Sequence, residues 1–78
     1  MSNLGDCQSV IANIIYERED VVIKERMLDA VLETMEVYES LQTMIEFINT
    51  RIMPRLHPQS KLKEYFYDKI HYYKLLIG

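Results

Sequence analysis

The fold of this chain is decided by residues 20–53, DVVIKERMLDAVLETMEVYESLQTMIEFINTRIM. The stretch has no glycine or proline and is rich in Leu, Met and Glu, which favour helix. Apolar residues recur in it every three or four positions, the pattern of one face of an α-helix. We therefore predict one long helix over residues 20–53, with a core or dimer face made of Met27, Val31, Tyr38, Leu41, Ile45, Ile48 and Ile52.

The opposite side of the predicted long helix carries a row of carboxylates. They follow one another at spacings of four, four and three residues, which places them on one helical face. A charged row of this kind is most simply a face exposed to water. We predict an acidic ridge there, formed by Glu25, Asp29, Glu33 and Glu36.

A short helix is predicted before the long one, over about residues 6–16. Its apolar stripe consists of Val10, Ile11, Ile14 and Ile15. On one continuous straight helix, this stripe would fall on the acidic side of residues 20–53. We therefore predict a break or turn between residues 16 and 22, where Glu17, Arg18, Glu19 and Asp20 cluster, with Asp20 as the cap of the helix that follows.

Two prolines end the long helix. Pro54 and Pro58 disfavour helical geometry in the residue before each of them, and neither can donate a backbone hydrogen bond. A third helix is predicted over about residues 59–77, with Ser60 as its candidate cap. The expected fold is a single all-α domain over residues 1–78: a helical hairpin of one long and one shorter helix, plus the short N-terminal helix.

Self-association is expected from the size of the chain. A domain of 78 residues buries a smaller share of its surface than a larger one, so its core is thin. Small domains are commonly stabilised by disulfides, metals, oligomerisation or unusually good helix packing. We therefore predict that the helical domain dimerises.

Charge is divided unevenly along the chain. Residues 1–50 contain three Lys/Arg and ten Asp/Glu, a net charge of −7, whereas residues 51–78 contain six Lys/Arg and two Asp/Glu, a net charge of +4. Three interpretations stay open. The basic C-terminal helix docks on the acidic one, in the same chain or in a second copy; it contacts nucleic acid; or the acidic ridge imitates nucleic acid or meets a basic partner.

Aromatic residues are concentrated in the predicted C-terminal helix. Five of them fall within nine residues: Tyr65, Phe66, Tyr67, Tyr72 and Tyr73. Phe66 and Tyr73 fall on the apolar stripe of this helix, whereas the other three border it or leave it. Tyrosine is enriched at interfaces because it combines an apolar ring with a hydrogen-bonding tip. We predict a partner surface made of Tyr65, Tyr67, Tyr72, Lys63 and Lys74.

Residues that bear catalytic or metal chemistry are few. Cys7 is the single cysteine, so no disulfide forms within one chain. Glu64, Asp68 and His71 share one helical side but lack a fourth ligand. No strained or glycine-rich turn frames Cys7 and a histidine such as His57 as a nucleophilic pair. We predict no catalytic residue, no metal, no cofactor and no small-molecule substrate.

The location of the protein is expected to be cytoplasmic, or the interior of a host cell if the protein is viral. The longest uncharged apolar run, residues 10–16, is far shorter than the roughly 20 residues of a membrane span. The start of the chain also lacks the basic and apolar regions of a signal peptide.

Several stretches match a known family: residues 10–15 (VIANII), Asp20 and Val21, Lys24, Met27 and Leu28, and residues 30–36 (AVLETME). In these stretches the chain resembles the small enterobacterial biofilm and acid-resistance regulators, the two-component connector proteins. The resemblance covers residues 10–53, needs one inserted residue before Met27 and lacks the family's glycine near Arg18, and residues 54–78 lie outside it. It implies a short helical protein that pairs as a homodimer and acts on signalling or transcription partners.

These features predict a non-enzymatic helical adaptor or regulator that acts through protein–protein contacts as a homodimer. One alternative is a nucleic-acid-binding regulator that uses the basic, tyrosine-rich C-terminal part of the chain: Arg51, Arg55, Lys61, Lys63, Lys69 and Lys74. The net charge of −3 argues against this alternative. A further alternative is a viral or mobile-element protein that binds and inhibits a host factor.

Overall fold

The computed structural model describes residues 4–17 and 20–78, and in these residues every regular element is a helix. The predicted all-α class is therefore confirmed. The α-helices are α1 (Leu4–Tyr16), α2 (Val21–Tyr38), α3 (Leu41–Phe47) and α4 (Leu62–Ile77), and α3 continues through a π-helical turn (Ile48–Ile52) and a 3-10 turn (Met53–Arg55). None of the helices in these residues has the length and apolar character that crossing a membrane requires.

The turn between α1 and α2 lies where the sequence predicts it. The Asp20 side chain accepts a hydrogen bond from the Val22 amide at 2.7 Å, so Asp20 caps α2 as expected. The Lys24 Nζ atom donates to the Ile15 carbonyl oxygen at 2.8 Å, which brings a cation to the C-terminal end of α1. Arg18 and Glu19, which belong to the predicted turn, lie outside the described residues.

The prediction of one continuous helix over residues 20–53 is wrong, because the helix is broken at Glu39 and Ser40. Both residues have extended backbone, with ψ of 152° and 158°. The Ser40 hydroxyl accepts from the Thr43 amide at 3.1 Å, so Ser40 caps a new helix, α3. Serine competes with the backbone for hydrogen bonds, and it therefore favours this role over a helix interior.

The break also changes which residues face the core. Leu28, Leu32 and Met35 are the buried side chains of α2. On a continuous helix their face would lead on to Glu39, Gln42 and Glu46, which are polar. The two extended residues change the rotation of α3 relative to α2. As a result, α3 and the π turn bury apolar side chains instead: Met44, Ile45, Phe47, Ile48 and Ile52.

The prolines act as predicted, through two irregular turns. The Met53 amide donates to the Ile48 carbonyl oxygen, which closes the π turn directly before Pro54. Pro54 then occupies the start of the 3-10 turn, where its missing N–H costs nothing. The Ser60 hydroxyl accepts from the Leu62 amide at 3.2 Å, so Ser60 caps α4, which begins at Leu62 rather than at residue 59.

One apolar core joins the four helices. α1 contacts α2 and the π turn, and α3 contacts α4. Phe66 and Tyr73 of α4 are the largest fully buried side chains. The core consists of Ile11, Ile14, Leu28, Leu32, Met35, Met44, Ile45, Phe47, Ile48, Ile52, Leu56, Leu62, Phe66, Ile70 and Tyr73.

The predicted core or dimer face is split by the break. Its second half is internal, with Ile45, Ile48 and Ile52 buried and Leu41 half-buried. Its first half is not, because the core of α2 is centred on Leu32, about 100° around the helix from Val31. Val31 is half-buried, whereas Met27 and Tyr38 are exposed. The prediction that Met27 and Tyr38 belong to the core is therefore wrong for the single chain, in which both lie at the surface.

Replacing Ser40 with alanine is expected to destabilise the fold by about 1 kcal/mol, because the first free amides of α3 lose their cap. The measurement is the free energy of unfolding from urea denaturation. Ser9→Ala is the matched control, since the Ser9 hydroxyl donates only to the Gly5 carbonyl oxygen inside α1. Equal stability of Ser40→Ala and Ser9→Ala would contradict the role assigned to Ser40.

Candidate functional site

Helix α4 docks on the acidic side of α2 through two tyrosine hydroxyls. Tyr65 donates to Asp29 Oδ1, and Tyr73 donates to Glu36 Oε1 at 2.6 Å. The partners follow in the same order along both helices, so α2 and α4 run in the same general direction. The structure therefore contains the contact that the first of the three interpretations of the uneven charge describes, in which the basic helix docks on the acidic one within the same chain.

A lysine completes this contact. The Lys69 Nζ atom lies 3.0 Å from Asp29 Oδ1 and 5.6 Å from the centroid of the Tyr65 ring. It forms an ion pair with the carboxylate and a cation–π contact with the ring that donates to the same carboxylate. Asp29, Tyr65 and Lys69 therefore form one connected group between α2 and α4.

The pKa values of these groups reflect their surroundings. Burial, followed by the hydrogen bonds to Asp29 and Glu36, raises the pKa of the Tyr65 and Tyr73 hydroxyls far above the usual value for tyrosine. Burial tends to raise the pKa of the Asp29 carboxyl, but the hydrogen bonds from Tyr65 and Lys69 outweigh it and lower that pKa. The favoured state has neutral tyrosines and an ionised Asp29.

The predicted acidic ridge is only partly a solvated face. Asp29 and Glu36 are half-buried and accept hydrogen bonds from α4, and Glu25 is half-buried too. Glu33 is exposed to solvent as predicted. The sequence did not show this division, because a carboxylate that accepts from a tyrosine has the same helical spacing as one that faces water.

The predicted partner surface on α4 is likewise divided. Tyr65 is half-buried and is used internally by its hydrogen bond to Asp29. Tyr67 and Tyr72 are 55% and 50% exposed, Lys74 is exposed and Lys63 is half-buried. Tyr67, Lys63 and Lys74 share one side of α4, which we call the outer face of α4, and Tyr72 lies on another side.

An apolar groove runs between α1 and α2, on the flank of α2 that faces away from Asp29 and Glu36. It consists of two adjoining depressions of about 400 Å³ and about 210 Å³, and Val10 lines both. We call it the α1–α2 groove. The larger depression is lined by Val10, Asn13, Ile14, Glu17, Ile23 and Met27, and the smaller one by Asp6, Cys7, Val10, Val31 and Thr34.

The sequence pattern does not reveal this groove. The apolar side chains that α2 contributes to it, Ile23, Met27 and Val31, recur every four residues and therefore share one side of the helix. That spacing was the available signal. The prediction includes Met27 and Val31 in the core or dimer face but not Ile23, because the spacing of apolar residues does not give the width of the surface that α1 covers.

Other chemical groups are dispersed. Arg51 and Arg55 line a second cleft, beside Tyr16, but its volume of about 40 Å³ is too small for more than a few water molecules. The His57 Nδ1 atom accepts from the Gln59 amide at 3.1 Å, which ties this histidine into its own loop. In residues 4–17 and 20–78, no three His, Cys, Asp or Glu side chains are grouped so as to hold a metal ion.

Comparison of the chain with protein-family models, with curated proteins and with solved structures gives no match. The resemblance of residues 10–53 to the connector proteins therefore stays a prediction.

The stability of the protein is expected to fall as the pH rises above about 10, the usual pKa of tyrosine in an unfolded chain. The folded-state pKa values of Tyr65 and Tyr73 are raised, so the stability that their neutral hydroxyls contribute is complete below that pH and is lost at higher pH. Urea denaturation between pH 7 and 11 measures this loss. In a variant with Tyr65→Phe and Tyr73→Phe, we expect a shallower decline and a stability lower by about 1–3 kcal/mol at pH 7.

The matched control for this experiment is Tyr67→Phe with Tyr72→Phe, which also removes two hydroxyls, but from exposed rings. The control is expected to keep the decline of the original protein. An equally steep decline in both double variants would show that the contacts of Tyr65 and Tyr73 with α2 do not cause the pH dependence.

Proposed function

We propose that the protein is a non-enzymatic helical adaptor or regulator that acts through protein–protein contacts, as a homodimer. The observation that supports this proposal is the α1–α2 groove, an apolar surface that remains open after the chain has formed its own core. The cytoplasmic location belongs to the same proposal. So does a helical hairpin, but with the long helix broken it consists of α3 and α4, which contact each other.

The groove has the composition of a protein-binding site. Val10, Ile23 and Met27 are 46%, 44% and 42% exposed, and they meet around one depression. Contiguous apolar surface on a small protein marks a site of interaction, whereas scattered apolar residues do not. A groove between two helices is also the shape that receives the apolar side of a further helix.

Dimer formation fits the energetics of so short a chain. Among the residues that the structure describes, the core has 15 buried apolar side chains, and only two of them, Ile11 and Ile14, belong to α1. Burial of the groove against a second copy would hold α1 from its other side and would add apolar area to a thin core. The resemblance of residues 10–53 to the homodimeric connector proteins agrees with this proposal.

The nucleic-acid alternative has less support from the contacts of α4. Lys69 is paired with Asp29, and the hydroxyls of Tyr65 and Tyr73 bind carboxylates of α2. Contacts with an acidic helix thus occupy one of the lysines and two of the tyrosines that this alternative would use. The alternative of a viral or mobile-element inhibitor uses the same kind of helical surface as the adaptor and differs from it in the partner.

Sedimentation velocity over a concentration series tests the homodimer. We expect a monomer–dimer equilibrium, and we expect Met27→Glu to raise the dissociation constant at least about tenfold, because it places a charge in the apolar groove. Val22→Glu is the matched control, since Val22 is 57% exposed in the same helix and does not line the groove. A protein that stays monomeric up to high concentration would contradict the homodimer.

A gel-shift assay separates the adaptor from the nucleic-acid alternative. As an adaptor, the protein is expected to cause no shift of DNA or RNA at low salt. A shift that weakens with added salt, and weakens further when Lys63 and Lys74 are replaced with glutamine, would instead support the nucleic-acid-binding regulator.

A further inference from the structure

The α1–α2 groove and the outer face of α4 are complementary surfaces of the same protein. We propose that, in the homodimer, the outer face of α4 from each copy lies in the α1–α2 groove of the other copy. This inference rests on the homodimer of the proposed function and specifies which surfaces meet.

The groove presents a defined order of side chains along α1. Asp6 lines one end, Val10 lies where the two depressions join, and Glu17 lines the other end. Val10 follows Asp6 by four residues and precedes Glu17 by seven, so the two carboxylates are about 16 Å apart along the helix. Neither carboxylate forms an ion pair with any residue in the described ranges.

The outer face of α4 presents the same order with the opposite charges. Tyr67 follows Lys63 by four residues and precedes Lys74 by seven. These spacings place the three side chains on one side of the helix, with a half-exposed aromatic ring between two cations. In the described part of the chain, Lys63 and Lys74 form no ion pair.

The matching spacings fix the register of the contact. If α4 of one copy lies parallel to α1 of the other, Lys63 faces Asp6 and Lys74 faces Glu17. Tyr67 then faces Val10, at the point where the two depressions of the groove join. The tyrosine ring supplies the apolar contact and keeps its hydroxyl near solvent, as tyrosine commonly does at interfaces.

The partner in this contact has to be a second copy. Within one chain, α4 docks on the side of α2 that carries Asp29 and Glu36. The groove lies on the opposite flank of α2, beside Met27 and Val31, so the outer face of α4 does not reach it. The two complementary surfaces can therefore meet only between chains.

In a dimer with two-fold symmetry, this contact forms twice, once in the groove of each copy. A stable dimer buries about 1,200 Å² or more in total, so each groove has to supply only about half of that area. The apolar contact around Tyr67 is expected to supply most of the affinity. Exposed ion pairs contribute little energy, but like charges placed opposite each other disfavour binding strongly, and the charged ends therefore set the register.

Charge reversal tests the arrangement. One variant combines Asp6→Lys with Glu17→Lys in the groove, and the other combines Lys63→Glu with Lys74→Glu on α4. Each variant alone places like charges opposite each other, so we expect its dissociation constant to be at least about tenfold that of the original protein in sedimentation velocity. In an equimolar mixture, both contacts of a mixed dimer are complementary, and we expect a 1:1 heterodimer with restored affinity.

The controls reverse the same number of charges elsewhere. Glu33→Lys with Glu46→Lys matches the groove variant, and Arg55→Glu with Lys61→Glu matches the α4 variant, because all four residues are exposed and lie outside both surfaces. Circular dichroism verifies that every variant is folded. If Asp6→Lys disturbs the start of α1, the single reversals Glu17→Lys and Lys74→Glu test one end of the contact in the same way.

The outcomes separate this inference from the proposed function. Weakened association of each charge variant, together with recovery in the mixture, supports the arrangement. Dimers that tolerate both reversals, or a mixture that does not recover, overturn the arrangement while the homodimer stands. An original protein that is monomeric at all concentrations overturns both, and it leaves the groove to a different partner.

Discussion

The rest of the structure depends on the helix break at Glu39 and Ser40, whose far side the Ser40 hydroxyl caps. By ending α2 at Tyr38 and starting α3 at Leu41, it rotates the apolar side of the chain toward one core. Without this break, the face of Leu28, Leu32 and Met35 would continue into polar residues, and the apolar side of α3 would point elsewhere. Two extended residues thus bring the apolar faces of α2 and α3 to the same core, although these faces would not align on one continuous helix.

The docking of α4 depends in turn on the side chains of α2 that remain at the edge of this core. Tyr73 and Phe66 are large enough to close the core, but a buried tyrosine needs a partner for its hydroxyl. Glu36 supplies that partner, and Asp29 does the same for Tyr65. The charge difference between the two halves of the chain is therefore used partly within one molecule. Lys63 and Lys74 form no ion pair with any described residue, and they lie on a side of α4 that does not contact α2.

The sequence predicted the helical class, the cap at Asp20, the end of the long segment at the prolines and the cap at Ser60, because each depends on local chemistry. It failed at Ser40, since an apolar repeat with a shifted phase still resembles one wide helical face when it is averaged over many turns. It also placed Met27 and Tyr38 with the core for that reason. The roles of Asp29 and Glu36 depend on which helix packs beside them, and helical spacing does not encode that choice.

The small share of the core that belongs to α1 has a consequence for how the groove behaves. Ile11 and Ile14 are the only buried side chains in this helix as described, and Leu4, Cys7 and Ile15 pack partly buried beside them. The Lys24 contact holds the last turn of α1 to α2. Local opening is easiest where few apolar contacts have to be broken, so we expect α1, which has the fewest buried side chains of the four α-helices, to detach more readily than the others. The groove exists only while α1 is docked. Occupation of the groove is therefore coupled to local folding, and any partner that fills it also selects the closed form of the molecule.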